Sequence, residues 1–216
     1  MMESLQVVIP LFERVTALDA VGPYEVLQRI PTLDVTFIGH RKGEVRTENG
    51  LLGLTVDATF EEFPEPDVMV VPGGAGSRQL LGDRRVLDWV RHAHQGTRLT
   101  TSVCTGSVVL GAAGLLDGLT ATTHWSCYAE PAATGATPTP ARVVEHLDER
   151  IITAAGVSSG IDMALRLVEL LVDGTAARAA QLMIEYDPQP PFDTGALAKA
   201  DDAVVQRVIE YAQLRQ

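Results

Sequence analysis

Cysteine is scarce in this chain: Cys104 and Cys127 are the only two in 216 residues. Two thiols cannot build the disulfide framework of a small secreted domain. With no Cys-x-x-Cys pair and no His/Cys cluster, nothing in the sequence suggests a metal site, so each cysteine is judged by its own surroundings. Long apolar runs are missing too. None approaches the roughly 20 residues that span a bilayer, and the opening Met1-Met2-Glu3-Ser4-Leu5 lacks the basic region and cleavage site of a secretory signal. The expected location is the cytoplasm. Basic charge is in deficit, with 17 Lys and Arg against 28 Asp and Glu and a formal charge of −11. Such a surface repels phosphate backbones and anionic lipid, so neither nucleic acid nor a membrane is an expected partner.

What is present suits one buried core. Hydrophobic residues make up 46% of the chain, glycine and proline counts are ordinary, and there is no internal repeat or low-complexity tract, which predicts a single domain over residues 1–216. Short β-branched runs at Leu5–Pro10, Asp34–Gly39, Asp67–Val71, Arg98–Val103 and Ile151–Ala154 read as buried strands. Helical patterns fill the gaps, at Pro23–Arg29, Arg84–His94, Thr105–Ala113, Trp125–Ala133, Val157–Val172 and Thr175–Tyr186. Alternation of this kind predicts an α/β fold with right-handed crossovers, its mostly parallel sheet covered by helices on both faces. Asn49-Gly50 supplies the turn of a hairpin over Val45–Val56. Three prolines make Asp187–Gly195 a connector, and a last helix is expected over Asp201–Leu214.

Ligands of such sheets bind beyond the carboxyl ends of the strands. Three segments lie there. In the first, an extended run stops at Cys104 and a helix of small residues starts at once, with Ser102 and Gly106 two residues to either side, small enough to allow the sharp turn of a nucleophile elbow. A thiol at a helix N-terminus is expected to have a lowered pKa. The bland alternative is a small buried hydrophobe, where free cysteines usually sit, and that reading suits Cys127 in Trp125-Ser126-Cys127-Tyr128. The second segment is Val71-Pro72-Gly73-Gly74-Ala75-Gly76, whose amides, with that of Thr105, are candidates for an anion hole; otherwise it is a plain strand-to-helix turn. The third holds Asp19. It either caps the helix that Pro23 helps to start, or holds, donates or removes a proton beside the thiol.

The string Thr101-Ser102-Val103-Cys104-Thr105-Gly106-Ser107-Val108-Val109-Leu110-Gly111, followed by Ala121-Thr122-Thr123-His124-Trp125, resembles the PfpI-type superfamily, relatives of the class I glutamine amidotransferases. Leu18-Asp19-Ala20-Val21-Gly22-Pro23, Val71-Pro72-Gly73-Gly74, Ala155-Gly156-Val157-Ser158-Ser159-Gly160 and the stretch from Gln181 to Phe192 extend the resemblance over nearly the whole chain and narrow it to the isonitrile-hydrating members. The resemblance implies a flavodoxin-like three-layer sandwich, a homodimer, no cofactor, Cys104 as nucleophile with Asp19 as its acid or base partner, and Thr105 in the catalytic region. Protease-like members place a histidine directly after the cysteine; Thr105 stands there instead, which disfavours a Cys-His hydrolase. His124 follows a predicted strand and has a hydrogen-bonded structural role as its default. An isonitrile offers little to hydrogen-bond, so its pocket would be mostly apolar, with Val157, Ile161 and Trp125 as lining candidates. Two other functions compete: a glyoxalase- or deglycase-like enzyme using the same elbow, and a cysteine-based redox sensor. A regulator of the AraC type is disfavoured, since the chain ends at Gln216 after its last helix and its charge is acidic.

Overall fold

The computed structural model describes residues 4–132 and 134–214. Among the described residues eleven strands are formed: β1 Leu5–Pro10, β2 Leu33–Gly39, β3 Gly43–Arg46, β4 Gly53–Val56, β5 Ala58–Thr59, β6 Val68–Val71, β7 Leu99–Val103, β8 Thr120–Ala121, β9 Thr137–Pro138, β10 Val143–His146 and β11 Ile151–Ala154. The helices are α1 Ala17–Leu27, α2 Ser77–Leu80, α3 Arg84–Gly96, α4 Gly106–Ala112, α5 Ala129–Ala132, α6 Ser159–Leu171, α7 Gly174–Met183 and α8 Asp202–Gln213. One seven-stranded sheet runs in the order β10-β11-β7-β6-β1-β2-β5. Every pairing in it is parallel except β10 with β11. Its inner order β2-β1-β6-β7-β11 is the 2-1-3-4-5 winding of a flavodoxin-like fold, with the switch point between β1 and β6.

The central strands are apolar on both sides because both sides are covered. Val7 and Ile9 of β1 and Val68 and Val70 of β6 face a cluster closed by Ala20, Val26 and Leu27 of α1 and Met163, Leu167 and Val168 of α6. The alternate residues Val8, Met69 and Val71 face the other cluster, closed by Val86, Leu87 and Val90 of α3 and by Leu110 of α4. The period of two in the strands thus divides one run of β-branched residues between two cores. Each fully buried Leu or Val adds roughly 1.5–3 kcal/mol over an exposed one. Asp83 caps α3 by accepting the Val86 N–H, and Asp173 caps α7 by accepting those of Thr175 and Ala176.

The structure corrects several element expectations. Helix α1 begins at Ala17, not at Pro23, so the proline lies inside it. An interior proline removes one helical hydrogen bond, and packing outweighs that loss: a Cβ at Gly160 of α6 would be 3.1 Å from Pro23 Cγ, and one at Gly22 would be 3.2 Å from Ile161 Cγ1, so α1 and α6 meet at two glycines. The Trp125–Ala133 helix resolves into a 3₁₀ turn, Trp125–Cys127, and the single turn α5; Ala133 is outside the described residues. Helix α7 stops at Met183, short of Tyr186. Edge strand β10 is an addition, on the antiparallel side where sequence alternation is short and weak. The hairpin forms as β3 with β4.

By its contacts the chain forms two compact units, one through Glu185 and one from Tyr186 onward. The second holds a 3₁₀ turn, Leu197–Lys199, and α8, capped by Asp201 through the Val204 N–H. Among the described residues, no helix is long and apolar enough to cross a membrane.

Candidate active site

Strand β7 ends in the elbow expected of it. Cys104 has φ 57°, in the left-handed region that a side chain enters at a cost of about 1–2 kcal/mol. Its neighbours enforce that conformation. The Cys104 N–H donates to the carbonyls of Ala154 (3.1 Å), the last residue of β11, and Ala155 (3.0 Å), the next. Its own carbonyl accepts from Thr123 Oγ1 (3.0 Å) and Ser107 Oγ (3.1 Å). Gly106 is required here, since a Cβ would lie 2.0 Å from the Val71 carbonyl oxygen and drive α4 away from β6.

Asp19 reaches the same place from the other side of the switch point. It lies in the first turn of α1, yet it does not cap that helix; Thr16 is the N-cap residue. Its Oδ2 accepts the Gly73 N–H at 3.0 Å, across 54 residues of sequence. The Cys104 side chain lies close enough to the carboxyl group to favour its ionised form, while Oδ1 is buried with no hydrogen-bond partner. Burial pushes the Asp19 pKa up to about 7, overcoming the opposing influence of Gly73 and Cys104, and the Glu48 carboxylate adds to the rise.

The thiol departs from the lowered pKa that a helix N-terminus predicts. Burial first, and then the negative charge of Asp19, hold Cys104 well above the ordinary thiol value. The nearby Thr105 and Val157 N–H groups oppose this by favouring the thiolate. A seven-residue helix and two amides do not offset desolvation in a site where Cys104 is 5% exposed.

The anion-hole expectation for Gly73 and Gly74 also meets a correction. The Gly73 N–H is occupied by Asp19, and the Gly74 N–H donates to Thr105 Oγ1 at 2.9 Å. Neither amide is free for an oxyanion. What the glycines supply is proximity: a Cβ on Gly73 would stand 2.5 Å from the Thr105 nitrogen, and one on Gly74, with φ 131°, 2.4 Å from the Thr16 nitrogen. Thr105 Oγ1 accepts a second bond from Ser77 Oγ at 3.0 Å, a partner that sequence reading missed. The amides whose influence reaches the sulfur are those of Thr105 and Val157, and Val157 itself has φ 38°.

Val157 and Trp125 are half-buried at this end of the sheet. Ile161 is spent on packing against α1 at Gly22. The Trp125 ring lies 5.5 Å from that of His124, and His124 covers Gly156, where a Cβ would meet its Cδ2 at 2.4 Å. Burial lowers the His124 pKa. Its Nδ1 accepts the Ser126 N–H, so the neutral ring carries its proton on Nε2. Glu48 was also missed. It follows the buried Thr47 at the hairpin tip and accepts the Ala75 N–H at 2.9 Å, and no sequence signal marks it out. Among the described residues, no group of three His, Cys, Asp or Glu gathers as metal ligands would.

Comparison with known proteins agrees with this geometry. The DJ-1/PfpI family pattern matches residues 5–170. The isonitrile hydratase of Pseudomonas putida is 44% identical over 202 residues, which cover 94% of this chain and 87% of that protein. The crystal structure of a THiJ/PfpI family protein from Pseudomonas syringae superposes with a TM-score of 0.91 at 36% identity, covering 98% of this chain and 87% of the other. A shorter similarity, 36% over 119 residues, links 54% of this chain to 32% of the HTH-type transcriptional regulator GbdR of Pseudomonas aeruginosa. With its flavodoxin-like sheet, its elbow at Cys104 and a family match running from β1 into α6, this chain belongs to the DJ-1/PfpI family.

Proposed function

We propose that the protein is an isonitrile hydratase, converting isonitriles to N-substituted formamides on Cys104. The observation that carries this reading is the buried Asp19 carboxyl beside the buried Cys104 thiol, each acting on the other's proton, together with the 44% identity to the isonitrile hydratase of P. putida.

A raised thiol pKa needs a base, and Asp19 is the base at hand. The pair loses its first proton near pH 7, and one proton then serves both groups. Asp19 takes the thiol proton as the sulfur adds to the isonitrile carbon, then delivers that proton to the same carbon. The product is a thioimidate, with an S–C and a C–H bond formed and the charge balanced. Water adds to the C=N carbon, its protons going to nitrogen and, through Asp19, back to sulfur, and collapse of the adduct breaks the S–C bond to release the formamide. No cofactor enters these steps. The Thr105 and Val157 amides hold the thiolate, Gly73 holds Asp19, and the Thr105 hydroxyl holds Gly74. Trp125 and Val157 are the proposed apolar wall for the substrate's organic group. We further propose one enzymatic domain that acts as a cytoplasmic homodimer.

Incubation with an aromatic isonitrile, with the formamide quantified by chromatography, tests the reading; turnover of methylglyoxal with no formamide would replace it by a glyoxalase-like activity. Light scattering is expected to give twice the 23.2 kDa of one chain.

A further inference from the structure

The hairpin between β3 and β4 is tied into the strand ends that build the site. Val15 bridges to Thr47, the Arg14 N–H donates to the Arg46 carbonyl at 2.7 Å, and the Gly76 N–H donates to the Arg14 carbonyl at 3.2 Å. The turn itself is fixed: Asn49 Oδ1 accepts the Leu51 N–H at 3.1 Å, Gly50 has φ 72°, and its N–H reaches the Thr47 carbonyl at 2.8 Å. Glu48 is therefore presented from a built loop. The residue is exposed while its Oε1 is held by the Ala75 N–H, one residue from the Gly74 that binds Thr105 Oγ1. The charge acts on the site, because Asp19 and His124 both respond to it. Among the described residues, no Lys or Arg pairs with it; the neighbouring Arg46 is engaged by Glu44 at 2.6 Å. His124, desolvated and neutral, offers no compensating cation.

We propose that Glu48 is the charge filter of the Cys104 site: held at its exposed edge by the Ala75 amide, it admits neutral electrophiles and turns away anionic ones. The inference rests on Cys104 being the reactive group of the proposed function, and it narrows the substrate class to uncharged molecules without carboxylate or phosphate.

The test uses two thiol reagents of nearly one size, neutral iodoacetamide and anionic iodoacetate, on full-length protein carrying Cys127→Ser, with Cys104 alkylation followed by intact mass. The ratio of the two rates, relative to that for a free small thiol, measures the filter. Glu48→Gln keeps an oxygen for the Ala75 N–H and removes the charge. It changes the net charge of −11 by only one, so a change in ratio is local. The expected result is that Glu48→Gln lowers the iodoacetamide preference about threefold to tenfold, the size of a unit charge acting over several ångströms in a wet cleft. Glu48→Asp should keep most of the preference. Raising salt should erode the wild-type preference toward that of Glu48→Gln, a measurement that stands even if the Gln variant folds poorly. An unchanged ratio in folded Glu48→Gln, a salt-independent wild-type preference, or no reaction of Cys104 with either reagent overturns the proposal. Neither reagent is an isonitrile. If the ratio shifts as expected while no formamide is formed, the filter stands and the hydratase reading alone falls.

Discussion

The two cysteines offer a controlled comparison of what surroundings do to a thiol. Cys104 is 5% and Cys127 8% exposed, and burial is the first cause of a raised pKa in both. Cys127 sits in a 3₁₀ turn with the Arg78 guanidinium 3.5 Å from its sulfur, an arrangement that by itself favours a thiolate. That cation is already engaged by Glu130 at 2.5 Å. Among the described residues no cation acts on Cys104, which has instead a strained backbone, two nearby amides and the Asp19 carboxyl group, its proposed proton partner. In the proposed mechanism the difference puts reactivity in proton transfer and not in thiol acidity, since burial raises the pKa of both thiols.

The largest expected effect breaks the comparison outright. Cys104→Ala should reduce formamide production by more than about 10⁴-fold, because no other group replaces the covalent step; Cys127→Ser should stay within about threefold of wild type. Equal activity of the two variants, read by product formation, removes the elbow from the mechanism. Asp19→Asn comes next. It keeps the acceptor for Gly73 and loses the proton relay, a step worth about 10²- to 10⁴-fold. In the wild type, kcat/KM should rise with pH and level off above about 7, where the Asp19–Cys104 pair has lost its first proton. A flat profile would separate Asp19 from the chemistry.

Much of this site was legible in the sequence, and what was not has physical reasons. The elbow was readable because Cys104 stands where an apolar extended run meets a helix of small residues, and Gly106 is demanded by a 2.0 Å approach to Val71. The mostly parallel sheet followed from the alternation of strands with helices, whereas its flavodoxin-like winding was implied only by the family resemblance. Thiol acidity was not readable: local sequence reports a helix N-terminus, whereas the pKa is set by desolvation and by a carboxylate 85 residues away. The roles of Gly73 and Gly74 were misjudged for the same reason, their amides being claimed by Asp19 and Thr105 from other segments. Pro23 misplaced the start of α1 because helix propensity is local while the contact with α6 is not. Glu48 sat unnoticed, since a hairpin tip says nothing of which strand ends it folds over.

Stability gives a smaller effect that sharpens the contrast between the sites. An Asp19 pKa near 7 in the fold, against an ordinary value of 3.8, means that the unfolded chain ionises between those limits while the folded one stays protonated. Stability from this group is therefore intact below pH 3.8, falls as pH rises, and is lost above about 7. About three pH units correspond to about 4 kcal/mol as a ceiling. Asp19→Asn should match the wild type in melts near pH 4 and exceed it at pH 8, whereas Cys127→Ser should track the wild type across the range. Parallel stability curves for wild type and Asp19→Asn would mean that the carboxyl is not desolvated.

The smallest effect concerns Thr105, whose two contributions to the site separate by substitution. Its amide favours the Cys104 thiolate and survives any side-chain change. Its hydroxyl oxygen accepts from the Gly74 N–H and from Ser77 Oγ, all within a buried cluster. Thr105→Val preserves shape and deletes that acceptor. Ser77 Oγ still has the Gly74 carbonyl at 2.8 Å, so the loss falls on one buried N–H, roughly 1–3 kcal/mol. Thr105→Ser keeps the acceptor and gives up one methyl group, about 0.8 kcal/mol. If the hydroxyl only positions Gly74, and through it the Gly73 amide that holds Asp19, then the Val variant should melt lower than the Ser variant while both keep turnover within about tenfold. A fall of 10² or more in kcat for Val at unchanged stability, with Ser fully active, would instead make the hydroxyl a participant in proton transfer. It would also shift the proton relay from Asp19 alone to Asp19 and Thr105 together, because the oxygen lies next to the sulfur in sequence and is bonded to the glycine adjoining the one that holds the carboxylate.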